Sequence, residues 1–127
     1  HIGDSRVYTF TETFAMQVTR DHSYVNVLVD HGEISEEEAQ THPRRHVITK
    51  AIGTERKVEP TFYAFQAEKN MYILLCSDGL SDKCSAEEIQ AILVRQDELE
   101  YQGRMLVQLA NDSGGEDNIS LVLLYNS

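Results

Sequence analysis

Short apolar runs, each bounded by polar or glycine-containing turns, predict a sheet interrupted by helices. The segments 6–10 and 14–18 flank the polar Thr-Glu-Thr at 11–13, which predicts a β-hairpin. The run Asn-Met-Tyr-Ile-Leu-Leu-Cys-Ser at 70–77 predicts a central strand that is packed on both faces. Two further strands are predicted, from the alternating segment 61–68 and the apolar segment 119–125.

Four helices are predicted from capping residues and from apolar residues at helical spacing. The first begins after Asp21 or Ser23 and ends at Gly32. Two helix starts have the Ser-x-x-Glu spacing of a capping box: Ser35 with Glu38, and Ser85 with Glu88. Apolar faces mark the first, third and fourth helices: Val25, Leu28 and Val29; Ile89, Ile92 and Leu93; Leu99, Leu106 and Ala110. The glutamates after Ser35 are interpreted as a solvated first turn and not as a metal site.

Composition and charge restrict the partners of the chain. Its 127 residues fit one domain or part of one, and 11 Lys and Arg against 21 Asp and Glu give a net charge of −10, which disfavours nucleic acid and anionic membranes. No apolar stretch approaches the ~20 residues of a membrane span, and no signal-peptide pattern is present, so we expect a soluble, cytoplasmic chain. Cys76 is interpreted as a small buried hydrophobe, and with Cys84 it gives no zinc signal.

Three aspartates share one local context, beside or near glycine at a strand end or a tight turn. They are Asp4 in Gly-Asp-Ser, Asp78 in Ser-Asp-Gly and Asp117 in Gly-Glu-Asp-Asn. For Asp78 two interpretations stay open, because Asp-Gly is ordinary turn chemistry and a carboxylate at the end of a core strand is also a rigid ligand. Oxygen ligands fixed on rigid elements suit hard ions such as Mg²⁺ or Mn²⁺.

Four segments, in order along the chain, resemble motifs of the bacterial metal-dependent protein serine/threonine phosphatases of the protein phosphatase 2C family. They are GDSRVY at 3–8, the segment 19–54, LLCSDGLSD at 74–82 and GGEDNISLVLL at 114–124. The resemblance covers essentially all 127 residues. It implies an α+β fold, in which an antiparallel β-sandwich is flanked by helices on both outer faces and holds a binuclear metal centre at one end.

The resemblance also implies an activity and a set of metal ligands. The activity is hydrolysis of phosphoserine and phosphothreonine in proteins by a metal-activated water, with two, or in bacterial members three, Mn²⁺ or Mg²⁺ ions. Asp78 and Asp117 correspond to ligands of the second metal. Asp4, together with Asp78, corresponds to a ligand of a third and weaker site.

The chain departs from the family pattern because the family's N-terminal motifs are absent, including the Asp-Gly pair that bridges the two metals. We therefore expect the C-terminal part of one catalytic domain, with the N-terminal part of that domain as a partner. His1 and Ile2 are expected to end a strand that begins earlier. On its own, this half-sandwich is expected to expose apolar surface, to self-associate and to lack activity.

The segment at about 20–57 corresponds to a flap, and its basic residues Arg44 and Arg45 are candidates for binding phosphoprotein substrates, which are expected to come from a Ser/Thr kinase. His46 lies either near the cleft as a proton donor or on the surface, and the surface is favoured. His22 is expected to support the start of the flap. The alternative function is a non-catalytic binding or regulatory module with an incomplete metal centre.

Overall fold

The computed structural model of the chain describes all residues from 1 to 127 and contains four strands and five helices. The strands are β1 (Arg6–Phe10), β2 (Ala15–Gln17), β3 (Met71–Cys76) and β4 (Leu121–Asn126). The helices are α1 (Tyr24–Asp30), α2 (Glu36–Thr41), α3 (Asp78–Ser81), α4 (Ala86–Leu93) and α5 (Leu99–Asp112). The strands form one sheet in the order β2-β1-β3-β4, and every neighbouring pair is antiparallel.

The chain divides into two compact units. The first unit comprises residues 1–4 and 20–62 and contains α1 and α2. The second unit comprises residues 5–19 and 63–127 and contains the whole sheet together with α3, α4 and α5. The proposed flap at 20–57 falls within the first unit, and its action as a flap stays a prediction.

The predicted hairpin and central strand are both confirmed. β1 and β2 are joined through residues 11–14, where the Thr11 N–H donates to the Phe14 carbonyl at 2.9 Å. β3 is hydrogen-bonded on both sides, so that Leu74 lies opposite Tyr8 on β1 and opposite Leu123 on β4. Because Cys76, the last residue of β3, is paired with Arg6 on one side and Leu121 on the other, its backbone position is well fixed.

One face of the sheet carries the hydrophobic core. Tyr8, Phe10 and Leu74 project from this face, and each is at most 3% exposed. They cluster with apolar side chains of α3, α4 and α5: Leu80, Ile89, Leu93, Leu106 and Ala110. Burying one leucine or isoleucine side chain stabilises a fold by about 1.5–3 kcal/mol, so this cluster is the main hydrophobic stabilisation of the second unit.

The opposite face of the sheet is covered only in part, since Met71 and Thr9 on this face are buried, and the prediction that β3 is packed on both faces is wrong at Leu75. Leu75 is 41% exposed, and its neighbours on β4, Val122 and Leu124, are 55% and 49% exposed. All three side chains alternate with residues that pack against the core, such as Leu74 on β3 and the half-buried Leu123 on β4, and so point away from it. We call Leu75, Val122 and Leu124 the open face. An apolar sheet face of this kind is typical of a sheet that packs against a second layer.

The predicted strand at 61–68 does not form. This segment joins no sheet, and Phe62 is 88% exposed while Phe65 is 43% exposed. Alternation of apolar and polar residues expresses a preference for a half-buried strand, but a strand also needs a neighbour with which to pair. At the start of the segment Thr61 and His1 exchange hydrogen bonds of 3.0 and 2.9 Å, and at its end the Glu68 carbonyl accepts from the Met71 N–H at 3.3 Å. No strand includes His1 or Ile2.

The helix starts follow the sequence closely. Both capping boxes are present, at Ser35 and at Ser85, and Ser23 caps α1 by accepting from the Asn26 N–H at 3.3 Å. The glutamates at the start of α2 are exposed, as expected of a solvated first turn. None of the helices combines the length and the apolar character that a membrane span needs. The short helix α3 was not predicted, because four residues are too few for a periodic pattern.

The open face predicts how the isolated chain behaves in solution. Purified residues 1–127 should self-associate, because three neighbouring apolar side chains on a sheet attract a second apolar surface. Threonine is polar but favours strands, so replacing Val122 and Leu124 with threonine should preserve β4 while making the open face less apolar. The double variant should therefore be more monomeric than the wild type in light scattering. Val94→Thr is the matched control, since Val94 is 41% exposed but lies at the end of α4. A wild-type chain that is monomeric at all concentrations would contradict the prediction.

Candidate metal centre

Asp78 lies where the central strand ends. β3 stops at Cys76, Ser77 is the N-cap of α3, and Asp78 is the first residue of that helix. The interpretation of the Asp-Gly pair as a turn with a positive-φ glycine is wrong, because Asp78 and Gly79 begin a helical turn and Gly79 does not have a positive φ; the interpretation of Asp78 as a ligand stays a prediction. Asp78 is half-buried. Its backbone is therefore fixed by the core strand while its carboxylate stays within reach of solvent.

Asp117 lies in the turn between α5 and β4. The turn is exposed, and the Asp117 Oδ1 accepts a hydrogen bond from the Asn118 N–H at 2.7 Å. This bond orients the carboxylate and leaves Oδ2 for another partner. A carboxylate that accepts one backbone hydrogen bond can still ligate a cation through its second oxygen.

Three hydrogen bonds join the end of β3 to the segment that leads into β4. The Ser77 N–H donates to the Ser120 carbonyl at 3.0 Å, and the Ser120 N–H donates to the Ser77 Oγ at 3.0 Å. The Ser77 Oγ in turn donates to the Asn118 carbonyl at 3.3 Å. We call these three bonds the strand-end contact. Because Ser77 precedes Asp78 and Asn118 follows Asp117, the contact holds the two aspartate-bearing segments side by side.

Gly79 allows these two segments to approach more closely than any other residue would. A Cβ atom at this position would lie 2.2 Å from the oxygen and 2.9 Å from the carbon of the Asn118 carbonyl group. Both distances are shorter than non-bonded atoms tolerate. The glycine is therefore required for a close backbone approach next to Asp78, not for an unusual backbone angle.

An ion pair also links the segment after α3 to the turn that carries Asp117. The Lys83 Nζ lies 2.9 Å from the Glu116 Oε2, and so connects the residues after α3 to the residue before Asp117. Glu116 is largely exposed, and an exposed ion pair contributes at most about 1 kcal/mol. This pair assists the strand-end contact and does not replace it. No sequence signal predicts it, because the two residues are far apart in the chain and charged residues are common on surfaces.

The donor chemistry at Asp78 and Asp117 fits part of a site for a hard divalent cation. Both side chains offer only oxygen, both reach solvent, and the Gly79 contact keeps their backbones together. No group of three or more His, Cys, Asp or Glu side chains is placed to hold a metal ion. The two carboxylates therefore fit an incomplete ligand set, to which other groups must add.

Asp4 belongs to the first unit and is described with that unit. It is half-buried and follows Gly3, whose N–H donates to the His22 Nδ1 at 3.1 Å. Burial of the His22 ring lowers the pKa of this histidine, and the nearby Lys50 adds to the effect, while Asp21 opposes it. His22 is therefore neutral at pH 7, as its Nδ1 must be to accept a hydrogen bond.

The basic residues after α2 are exposed and are held by local contacts. The Arg44 guanidinium lies over the Tyr24 ring, 5.8 Å from its centroid, and the Arg45 Nη1 donates to the His42 carbonyl at 3.1 Å. His46 is exposed, in keeping with the favoured surface placement. The roles of these three residues in binding substrate stay predictions.

Comparison with known proteins shows relatives across nearly the whole chain. A Streptococcus pyogenes protein named as a phosphatase of the 2C type is 41% identical over 126 residues, which are 99% of this chain and 51% of the relative. The protein phosphatase PhpP of Streptococcus pneumoniae is 40% identical over 98% of this chain and 50% of its own length. The chain belongs to the protein phosphatase 2C family. No protein-family profile matches it.

Solved structures of phosphatases share the fold of this 2C-type chain. The S. agalactiae serine/threonine phosphatase superposes with a TM-score of 0.88 at 35% identity, covering 100% of this chain and 52% of that one. The catalytic domain of the phosphatase PstP in complex with two manganese ions gives a TM-score of 0.78 at 37% identity, again covering 52% of its chain. The chain spans about half the length of the curated relatives it matches. The expected α+β fold class is confirmed, since the four-stranded antiparallel sheet and its helices match these phosphatase structures.

The Gly79 contact yields a test of the site's architecture in the intact protein. Gly79→Ala should reduce the free energy of unfolding by about 1–3 kcal/mol, as overpacking does, and should weaken Mn²⁺ binding because the Asn118 backbone must move. Urea unfolding and calorimetric Mn²⁺ titration measure the two effects.

Gly103→Ala is the matched control for Gly79→Ala. Its Cβ would lie 3.7 Å from the Leu121 Cδ1, an ordinary contact. Because glycine inside a helix costs about 0.5–1 kcal/mol relative to alanine, this variant should be slightly more stable and should bind Mn²⁺ normally. Wild-type stability and Mn²⁺ affinity in Gly79→Ala would show that the close approach does not organise the site.

Proposed function

We propose that the protein containing this chain is a metal-dependent phosphatase that hydrolyses phosphoserine and phosphothreonine in other proteins. The proposal rests on the relatives, which are named as serine/threonine phosphatases, and on one structural observation. That observation is the strand-end contact, which brings the segments of Asp78 and Asp117 together at the end of the central strand. Because the chain spans about half of its relatives, the activity is assigned to the intact protein.

Asp78 and Asp117 are proposed as ligands of one Mn²⁺ or Mg²⁺ ion, and Asp4 as a ligand of a further, weaker site. Divalent ions supply an activated water and neutralise charge on a phosphoryl group when they are bound. The contribution of this chain is to hold its carboxylates on a rigid strand end, where small displacements are resisted. The remaining ligands are proposed to come from the part of the domain that precedes this chain.

The substrates are proposed to be phosphorylated proteins, recognised in part by the exposed basic residues Arg44 and Arg45. The chain as a whole carries a net charge of −10, so two adjacent arginines are a local exception that suits an anionic phosphopeptide. His46 follows them and is proposed to bind at the same surface. The kinase that phosphorylates such proteins, and the cytoplasmic location of the enzyme, are parts of this proposal that rest on the sequence alone.

A second function, a non-catalytic binding or regulatory module, is favoured by one observation. The chain itself brings no group of three metal-ligating side chains together. The two hypotheses differ in the intact protein, where a phosphatase turns over phosphopeptides in the presence of Mn²⁺ and a binding module does not. The isolated chain is expected to bind Mn²⁺ weakly and to be inactive under both.

The ligand assignment predicts unequal effects of single substitutions. In the intact protein, Asp78→Ala or Asp117→Ala should reduce phosphopeptide turnover by more than about a hundredfold, because even groups that only support metal ligands cost 10–100-fold when removed. Asp4→Ala should act more mildly and should be partly rescued at high Mn²⁺. Steady-state kinetics across a Mn²⁺ series measures both effects.

Asp97→Asn serves as the control for these aspartate variants. Asp97 is a partly exposed aspartate whose carboxylate lies 3.6 Å from the Arg95 side chain, and it lies in the connection between α4 and α5. Its substitution should leave turnover and the Mn²⁺ requirement unchanged. Wild-type turnover in Asp78→Ala would refute the assignment of that ligand.

The basic residues predict a dependence on substrate size. Replacing Arg44 and Arg45 with alanine should raise KM for a phosphopeptide by about tenfold, as expected when two exposed charge-assisted contacts are lost. Hydrolysis of a small phosphate ester should be nearly unchanged. Arg95 and Arg104, exposed arginines of the second unit, provide the control pair. Equal losses on both substrates would count against a role in phosphoprotein recognition.

A further inference from the structure

His22 forms hydrogen bonds with both the backbone N–H and the backbone carbonyl of Gly3. The His22 N–H donates to the Gly3 carbonyl at 2.8 Å, and the Gly3 N–H donates to the His22 Nδ1 at 3.1 Å. One residue thus satisfies both backbone groups of Gly3, which is buried. Two hydrogen bonds to the same residue fix the orientation of its peptide planes and not merely its distance.

The tautomer of His22 follows from this geometry. A backbone N–H only donates, so the Nδ1 that faces Gly3 carries no proton. In a neutral ring the proton is then on Nε2, which lies 2.9 Å from the Thr61 Oγ1 and donates to it. A histidine that accepts through one nitrogen and donates through the other is held in a single orientation.

Thr61 extends the same arrangement to the first residue of the chain. Thr61 and His1 exchange two backbone hydrogen bonds, and the rings of His1 and His22 lie 4.8 Å apart. Residues 1–3 are therefore held at His1 through Thr61 and at Gly3 through His22. Asp4 is the next residue after the segment that these hydrogen bonds hold.

Gly3 itself has a φ of +101°, which residues other than glycine rarely adopt. The direction in which Asp4 follows Gly3 depends on this backbone angle. A peptide that can rotate about such an angle would present the Asp4 carboxylate in several directions. The two hydrogen bonds between His22 and Gly3 resist that rotation.

We propose that His22 is a positioning residue for Asp4, which it orients through the two hydrogen bonds to Gly3. The inference rests on the proposed function, because it assumes that Asp4 ligates a divalent cation. His22 does not contact that cation or the substrate. Its effect reaches the metal through the backbone of Gly3.

Two substitutions separate the two sides of the His22 ring. His22→Asn places an amide oxygen near the position of Nδ1 and can still accept from Gly3, whereas His22→Gln places its amide nitrogen near Nε2 and can donate only to Thr61. His22→Ala removes both. His31→Asn is the control, since His31 is an exposed histidine at the end of α1.

The experiment measures Mn²⁺ binding to the intact protein by calorimetry and the exchange rate of the Gly3 amide proton by NMR. The Mn²⁺ binding step that is lost in Asp4→Ala defines the Asp4 site. At this site, His22→Gln and His22→Ala should bind about fivefold more weakly, the equivalent of one lost hydrogen bond of about 1 kcal/mol. His22→Asn and His31→Asn should stay within twofold of the wild type, and Gly3 should exchange faster only in the Gln and Ala variants.

Nitrogen-15 spectra of the histidine rings supply the independent signature. The wild-type protein should show His22 as the neutral Nε2–H tautomer, whether or not Mn²⁺ is present. An Nδ1–H tautomer, or equal Mn²⁺ affinities in His22→Asn and His22→Gln, would overturn the proposal. So would an Asp4→Ala variant with unchanged Mn²⁺ binding. Failure of the proposed function is distinguishable from these results, since it would appear as absent phosphopeptide hydrolysis in a protein with the expected tautomer and Mn²⁺ sites.

Discussion

The site depends on the way in which β3 ends. β3 is held on both sides by neighbouring strands, and its last residue leads directly into Ser77, which is hydrogen-bonded to Asn118 and Ser120 across the turn. Gly79 removes the Cβ that would otherwise push the Asn118 carbonyl away. Without this contact Asp78 would still be fixed by the core strand, but Asp117 would lie on an exposed turn that the exposed Lys83–Glu116 ion pair links only weakly to the residues after α3. In the proposed site, the contact keeps the two aspartate-bearing segments together, so that both carboxylates can ligate one ion.

The two faces of the sheet are covered unequally. Helices α3, α4 and α5 bury one face, whereas the open face keeps Leu75, Val122 and Leu124 in solvent. The proposed metal ligands are also incomplete, because the segments of Asp78 and Asp117 meet at the strand end without a group of three ligating side chains. We expect residues outside this chain, which spans about half the length of the curated relatives it matches, to cover the open face and to complete the proposed metal site.

Local signals in the sequence predicted the local features of the fold. The capping boxes at Ser35 and Ser85 and the apolar run of β3 depend on neighbouring residues, and all three are as predicted. The strand at 61–68 was wrong because alternation does not reveal whether a partner strand exists. The glycines beside or near them marked the aspartates as candidates in the sequence, but no sequence signal predicted the hydrogen bonds of Ser77. Its partners lie 41 and 43 residues away in the chain, and serine before an Asp-Gly pair also suits an ordinary turn.

The central claim is that the strand-end contact makes Asp78 and Asp117 ligands of the same ion. Anomalous diffraction from crystals of the intact protein soaked in Mn²⁺ tests it most directly, since the signal locates manganese independently of the protein atoms. The account predicts a manganese peak within about 2.0–2.3 Å of a carboxylate oxygen of both residues, a distance typical of small divalent ions with oxygen ligands. A fully occupied manganese site that contacts only one of the two aspartates, or neither, would contradict it.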